Sequence, residues 1–316
     1  MDAFNTDDIN LVGMQLLRGH ALQARRDFNT FVPFVMRDEN GKPLLQAAHH
    51  RVWAAHVLAC WRAGKHAGIM APWAHGKSVQ LVIGRTLWEL GRDPNLRIKI
   101  VSNADKTSRD RVMEVSRMIT SKQYRTVFPG VQPVERDFRT KSQWTQHEIR
   151  VDRVGSGIDP SVGAYGIMAT GIGGRADLLV FDDVCDQRNS VDEPRLRDRV
   201  IVNFDRVWMS RLEPHGRALL VGTPWHQADL HHELLRRPAW CVLRQWISDD
   251  FSRIEQEVYN APADYPLPAM AGAASRDQRA FEAVIRLGGA DAINMPPIPA
   301  QQNGRAFASP PAWRLP

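Results

Sequence analysis

Ala71-Pro72-Trp73-Ala74-His75-Gly76-Lys77-Ser78 is the stretch on which the reading of this chain turns. It follows a short apolar run, residues 67–70, and precedes a pattern of helical period over residues 79–90. A glycine-bearing turn between a strand and a helix aims backbone N–H groups at anionic oxygens. A lysine in that turn reaches the β- and γ-phosphates of a nucleotide, and the next Ser or Thr hydroxyl meets Mg²⁺. Gly76-Lys77-Ser78 meets this requirement, and Ala71 stands where the first glycine of such loops usually is. Alone, Gly-Lys-Ser is also an ordinary strand-to-helix turn, so the strands around it have to agree.

They do. A strand is expected at residues 98–102, then a helix over 104–120 with arginines and lysines on its polar face. The run Leu178-Leu179-Val180-Phe181 has no polar alternation, as in a strand buried on both faces, and it ends in Asp182-Asp183. After a helical stretch over 194–212 comes Ala218-Leu219-Leu220-Val221, leading into Gly222-Thr223-Pro224-Trp225-His226. A helix to Arg237 and a strand over 241–247 follow. Strands alternating with helices predict βαβ units and a mainly parallel sheet, with ligands at the C-terminal ends of the strands.

Phosphate loop, Asp182-Asp183 strand and Gly222-Thr223 strand stand in the order used by P-loop ATPases that carry an extra strand between their two nucleotide motifs. The expected fold is therefore α/β: a P-loop NTPase of the ASCE type, with a mainly parallel central sheet flanked by helices. Phosphoryl transfer to water needs positioning and charge neutralisation, which assigns each residue type a task. Lys77 holds the β/γ-phosphates of ATP, and Ser78 with Asp182 fixes Mg²⁺. Asp183 orients and polarises the attacking water, while Thr223 senses the γ-phosphate. Singly, Asp182-Asp183 reads more readily as a strand cap followed by a solvated acid, and Thr223 as a turn residue; order and spacing together carry the assignment.

The bulk composition bounds the rest. The 316 residues are 43% hydrophobic and 24% charged, an ordinary globular balance. There is no apolar run of membrane-spanning length, and the first residues lack the blocks of a signal peptide, so an intracellular protein without membrane association is expected. Cys60, Cys185 and Cys241 are widely spaced with no CxxC, which suggests reduced thiols. The net charge of +6 and pI near 9.5 favour a polyanionic partner such as nucleic acid. Three regions are expected: an extension over 1–43 of one or two amphipathic helices that pack against the main domain, the ATPase domain over 44–250, and a proline-rich tail over 251–316 with one helical stretch at 275–287. Within the domain a helix is expected over 44–61, and short strands or hairpins over 122–160.

The chain resembles the ATPase portion of the large terminase subunit of tailed phages. The residues that carry the resemblance are Ala71 to Ser78; Gly171 with Gly174-Arg175-Ala176-Asp177 leading into Leu178-Leu179-Val180-Phe181-Asp182-Asp183; Ser210-Arg211-Leu212; and Gly222-Thr223-Pro224-Trp225-His226 with Asp229-Leu230. The Gly-Thr-x-Trp-His-x-x-Asp-Leu element is the most specific of them. The resemblance implies ATP hydrolysis driving translocation of double-stranded DNA. It also implies a homo-oligomeric ring docked on the portal protein of a procapsid in the host cytoplasm, with a small terminase subunit recognising the DNA.

The chain departs from the family's pattern in three places. Related phosphate loops often carry an arginine, whereas the residue here is Trp73; Arg175 or Arg211, in cis or from a neighbouring subunit, are candidates for that charge. Asp183 stands where many of these motors have glutamate. The proline-rich stretch beyond residue 250 carries six scattered acids and does not match the two-metal nuclease that usually follows, so that activity is expected to be lacking or encoded elsewhere. Gln46 lies where related ATPases recognise adenine with an amide, and otherwise is an exposed helical residue. Arg109, Arg111 and Arg117 form a basic face that either tracks DNA phosphates or is simply solvated. The alternatives are a degenerate, non-hydrolysing prophage remnant that binds nucleotide, or another P-loop translocase or helicase. A two-lobed helicase is disfavoured, because no second ATPase lobe fits.

Overall fold

The computed structural model describes residues 6–132, 144–154, 158–170, 173–248 and 254–266. The apolar runs form the sheet: β1 (His66–Met70), β2 (Ile98–Ser102), β3 (Glu148–Ile149), β4 (Val162–Gly166), β5 (Ala176–Asp182), β6 (Leu212–Gly222), β7 (Trp240–Ile247) and β8 (Ile254–Tyr259). They lie in the order β3-β4-β2-β5-β6-β1-β7-β8. Strands β4, β2, β5, β6, β1 and β7 are mutually parallel, and β3 and β8 add antiparallel edges. Strand β6 thus stands between the strand that enters the phosphate loop and the strand that ends in Asp182, as the order of motifs predicts. In register, Val221 pairs with Ile69 on one side and with Asp182 on the other, so the C-terminal ends of all three strands come level.

Alternate residues of these strands face opposite layers, the consequence of a two-residue side-chain period. Ile69, Ile100, Val180, Leu219 and Leu243 face one apolar core, while Val101, Leu179, Phe181, Leu220 and Val242 face the other. The first core is covered by α1 (Thr6–Arg26), α2 (Phe28–Val35), α3 (Ala48–Arg62), α4 (Arg85–Arg92), α5 (Asp105–Ile119) and α6 (Lys122–Val127). The second is covered by α7 (Pro194–Asn203), its π- and 3₁₀-helical continuation to Arg211, and α8 (Leu230–Leu234). The helix after the phosphate loop starts with a π-helical segment, Ser78–Gly84, that runs directly into α4.

The structure departs from the sequence reading at residues 122–127, expected among short strands or hairpins and here forming the helix α6, and near the expected boundary at residue 250. Phe28, Phe31, Val32, Val35 and Met36, in the N-terminal extension, are buried in the first core, as expected of helices that pack against the main domain. At the other end the expected boundary at residue 250 falls inside an edge hairpin: β8 pairs with β7 from Ile254 to Tyr259, and Tyr265 packs back against His56 of α3. The run Ile254-Glu255-Gln256-Glu257-Val258-Tyr259 alternates buried and half-buried positions. Its charge and the nearby prolines make it read as tail, although its period of two is that of a strand. The helix expected at 275–287 lies outside the described residues, as does the chain beyond 266. No helix among the described residues is long and apolar enough to cross a membrane.

Candidate active site

The phosphate loop leaves β1 at Met70 and doubles back through two residues in the left-handed region, Ala74 (φ 63°) and Gly76 (φ 75°). Glycine adopts this conformation without strain, and alanine does so at a cost. Ala71 still belongs to the sheet, its N–H donating to Gly222 O at 3.1 Å. The loop is braced from behind by α3. His50 Nε2–H donates to His75 O at 3.0 Å, and its Nδ1 accepts from Ala47 N at 3.2 Å, which fixes the tautomer. His49 stacks edge-on against His75, and burial first, then the nearby His50 and His75, push its pKa down to about 3, so it is neutral.

Lys77 is buried, and its Nζ donates to Ala71 O (3.0 Å), Pro72 O (2.9 Å) and Thr223 Oγ1 (2.8 Å). Thr223 Oγ1 in turn donates to Ala71 O at 3.1 Å, so the ends of β1 and β6 are joined through lysine and threonine. Burial lowers the pKa of Lys77, and the charges of Asp183 and Asp182 work against that. Ser78 Oγ donates to Asp182 Oδ1 at 2.8 Å. Burial raises the pKa of Asp182 and the neighbouring Asp183 adds to the rise, while Arg111 and Ser78 oppose it. Asp183 itself sits at φ 44°, a left-handed conformation that Asp tolerates. The bend turns its Oδ1 towards Thr223 N, 3.3 Å away.

Lys77, Ser78, Asp182, Asp183 and Thr223 therefore come together, as the sequence suggests. Trp73 is more than half exposed at the loop. Gln46 lies beside the helix that follows the loop, its Nε2 donating to Gln80 Oε1 at 2.7 Å; its own Oε1 is buried with no hydrogen-bond partner among the described residues. Arg175 is not brought to the site. It precedes β5 at the end opposite Asp182, roughly 20 Å away along the strand, where it pairs with Glu213 at 3.3 Å. Arg211 lies at that same far end, before Leu212, which pairs with Ala176.

Arg111 was legible only as part of a basic face, and the structure corrects this. Arg109 pairs with Asp105 and Arg117 with Glu114 on the surface of α5, but Arg111 Nε reaches Asp182 Oδ2 at 2.8 Å. The sequence also does not reveal how firmly the 223–229 loop is held. Asp229, fully buried, accepts from Trp225 N (2.8 Å), His226 N (3.2 Å) and His232 N (3.1 Å), capping α8. His231 fills the space beside Gly222 so closely that a Cβ at position 222 would lie 2.2 Å from its Nε2. Burial disfavours the charged His231, but Cys185 and Asp229 outweigh it and push its pKa up to about 10.

Among the described residues, two buried groups bring potential metal ligands within 4.8 Å of one another: Cys185, Asp229 and His231, and His56, Cys60 and Cys241. In the first, the Asp229 carboxylate is already committed to backbone N–H groups and to His232 Nδ1 at 3.0 Å. In the second, both ring nitrogens of His56 are engaged, by Gly68 O and by Tyr265 Oη. The second is thus accounted for as hydrogen-bonded packing; in the first, both ring nitrogens of buried His231 have no hydrogen-bond partner among the described residues, Nδ1 lying 3.6 Å from Asp229 Oδ2. Ser78 Oγ and Asp182, by contrast, are hard oxygen donors beside a second carboxylate whose repulsion a cation relieves, a set that suits Mg²⁺.

No protein-family model matches the chain, and no curated protein matches it. Among solved structures it is similar to the HK97 bacteriophage large terminase, at 12% identity and a TM-score of 0.44 over 66% of this chain and 40% of that one. It is also similar to a point mutant of the large terminase ATPase domain of Thermus phage P74-26, at 17% identity and a TM-score of 0.35 over 57% of this chain and 68% of that one. The fold does not depend on these distant likenesses. It is a mixed α/β domain with a mainly parallel eight-stranded sheet flanked by helices, in which a glycine-bearing loop follows β1, β5 ends at Asp182 and β6 lies between β1 and β5, the arrangement expected of a P-loop NTPase fold.

Proposed function

We propose that this domain hydrolyses ATP with Mg²⁺ and that its turnover drives double-stranded DNA in the packaging motor of a tailed phage. One observation carries the hydrolase reading: side chains from three parallel strand ends, Lys77 and Ser78 after β1, Asp182 and Asp183 after β5, and Thr223 after β6, converge at hydrogen-bond distance. Loop N–H groups and Lys77 bind the phosphates. Ser78 and Asp182 would hold Mg²⁺, which when bound would supply charge neutralisation for phosphoryl transfer. Asp183 accepts a hydrogen bond from the attacking water, whose oxygen bonds to the γ-phosphorus as the bond to the bridging oxygen breaks, releasing ADP and phosphate. Thr223, sharing Lys77 with the loop, registers the loss of the γ-phosphate, and Gln46 offers a free carbonyl oxygen to the adenine amino group.

The motor reading draws on the sequence elements around Gly222-Thr223-Pro224-Trp225-His226 and on the basic net charge of +6. Under it the chain works as a ring of copies on a portal protein in the host cytoplasm, with a small terminase subunit, and Arg175 of one copy faces the site of the next. A second reading, nucleotide binding without turnover, is favoured by one observation: the loop has no arginine, and Arg175 of the same chain is at the far end of β5.

The test is Mg²⁺-dependent phosphate release by purified protein, with and without double-stranded DNA, against Lys77→Ala. Release well above the variant, rising with DNA, is the expected result. Release equal to the variant's, with ATP still bound, leaves only the binding reading standing.

A further inference from the structure

Asp182 is fully buried, and both of its oxygens are taken: Oδ1 by the Ser78 hydroxyl at 2.8 Å and Oδ2 by Arg111 Nε at 2.8 Å. Arg111 comes from the second turn of α5, the helix that follows β2, and β2 lies beside β5 with Ser102 level with Asp182. The arginine thus enters from the flank of the site opposite the phosphate loop. Its side chain is 30% exposed while that of Asp182 is 0% exposed. A guanidinium has five N–H donors in a fixed planar fork. Arg111 spends Nε on Asp182, and its two Nη groups have no hydrogen-bond partner among the described residues. An ion pair made through one edge of the fork, with the other edge open towards solvent beside Ser78 and Asp182, is an anchored cation with unused donors.

The phosphate loop supplies one cationic side chain, Lys77, and no arginine between residues 71 and 78. Arg175 and Arg211 lie at the other end of β5 and β6. Arg111 is the arginine that an ion pair joins to a residue of the site among those described. We propose that Arg111, anchored on Asp182 through Nε, turns its Nη edge to the terminal phosphate of a bound nucleoside triphosphate and supplies within one chain the guanidinium that the phosphate loop lacks. This rests on the nucleotide-hydrolase reading of the same site. Anchoring matters because a guanidinium already held by a buried carboxylate loses less conformational freedom on meeting the phosphate than a free surface arginine does.

The proposal separates a contact with the terminal phosphate from simple support of Asp182, and binding measurements tell the two apart. Affinities of Mg²⁺-ADP and Mg²⁺-ATPγS are measured by calorimetry for the wild type, Arg111→Ala, Arg111→Lys and Lys77→Ala. The wild type is expected to bind ATPγS more tightly than ADP. Arg111→Ala is expected to keep its ADP affinity and lose about ten- to hundredfold for ATPγS, the range of a hydrogen bond to a charged group, with Arg111→Lys in between. Equal losses for both nucleotides overturn the proposal, because Arg111 then only holds Asp182 in place. So does an unchanged ATPγS preference in Arg111→Ala, or its absence in the wild type. If the wild type binds neither nucleotide better than Lys77→Ala, the nucleotide reading itself falls, and the assignment of Arg111 falls with it.

Discussion

At the scale of single residues, Asp183 is the sharpest case. Its bend at φ 44° and the hydrogen bond from Thr223 N to its Oδ1 hold the side chain whether or not it is charged, since the oxygen of an asparagine accepts the same bond. Asp183→Asn is therefore expected to preserve ATP affinity while the turnover number falls by about 10²–10⁴-fold, the usual worth of a general base. Single-turnover phosphate release set beside calorimetric binding checks it, and a parallel loss of binding would mean that Asp183 belongs to the nucleotide pocket. Gly76→Ala tests the loop itself. A Cβ there meets His50 Nε2 at 3.4 Å, an ordinary contact, so the expense is the backbone at φ 75°, about 1–2 kcal/mol, visible in urea unfolding. Legibility at this scale followed distance along the chain. Lys77, Ser78, Asp182, Asp183 and Thr223 lie next to glycines and apolar runs that announce them. Arg111 bonds a residue 71 positions away, and nothing local separates it from Arg109 or Arg117.

Among the elements, the loop from Thr223 to Asp229 joins the site to α8, and one carboxylate holds its shape. Asp229 Oδ2 accepts from Trp225 N and His226 N, and Oδ1 from His232 N and His232 Nδ1. An asparagine offers one accepting oxygen and turns an NH₂ group towards the remaining N–H donors. Asp229→Asn is expected to destabilise the domain by about 2–4 kcal/mol, the cost of buried donors left without partners. The loosening should centre on residues 223–229, so hydrogen exchange is the fitting measurement; protection lost evenly across the sheet would argue against a local brace. The sequence shows Asp229 as part of a motif and as a residue preceding a helix, which is half of its task. Its three backbone partners require knowing that the loop folds over it. Strand β8 failed to show for another reason: Gln256 is buried in the pairing with β7, where it accepts from Gln245 Nε2 at 2.9 Å, and a buried polar residue breaks the apolar alternation by which strands are recognised.

For the molecule as a whole, the three-layer arrangement was legible because its parallel strands are buried on both faces and read as unbroken apolar runs. What closes the layers was not, and it bears on how the protein responds to acid. His56 of α3 sits in the first core between β1 and the segment after β8: Nε2–H donates to Gly68 O at 3.0 Å, Nδ1 accepts from Tyr265 Oη, and Cys60 Sγ lies 3.5 Å from the ring. Burial pushes its pKa down from 6.5 to about 4, with the bonds to the backbone opposing. The unfolded chain thus takes up a proton near pH 6.5 that the folded one refuses until about pH 4. Stability from this group is complete above pH 6.5 and is lost as pH falls through that window, by about 2 kcal/mol at pH 5 on linkage arithmetic. Carboxylates held below their ordinary range, such as Asp229 and Asp177, withdraw their contribution at lower pH, below the ordinary carboxylate pKa of 3.8. His56→Gln can donate to Gly68 O and accept from Tyr265 without titrating. Its unfolding free energy is expected to drop less than the wild type's between pH 7.5 and pH 5, by about the same 2 kcal/mol, in urea titrations at the two pH values. Parallel losses in the two proteins would place the acid sensitivity elsewhere, with buried His49 next to be tested, because its depressed pKa of about 3 gives it the same sign and a wider window.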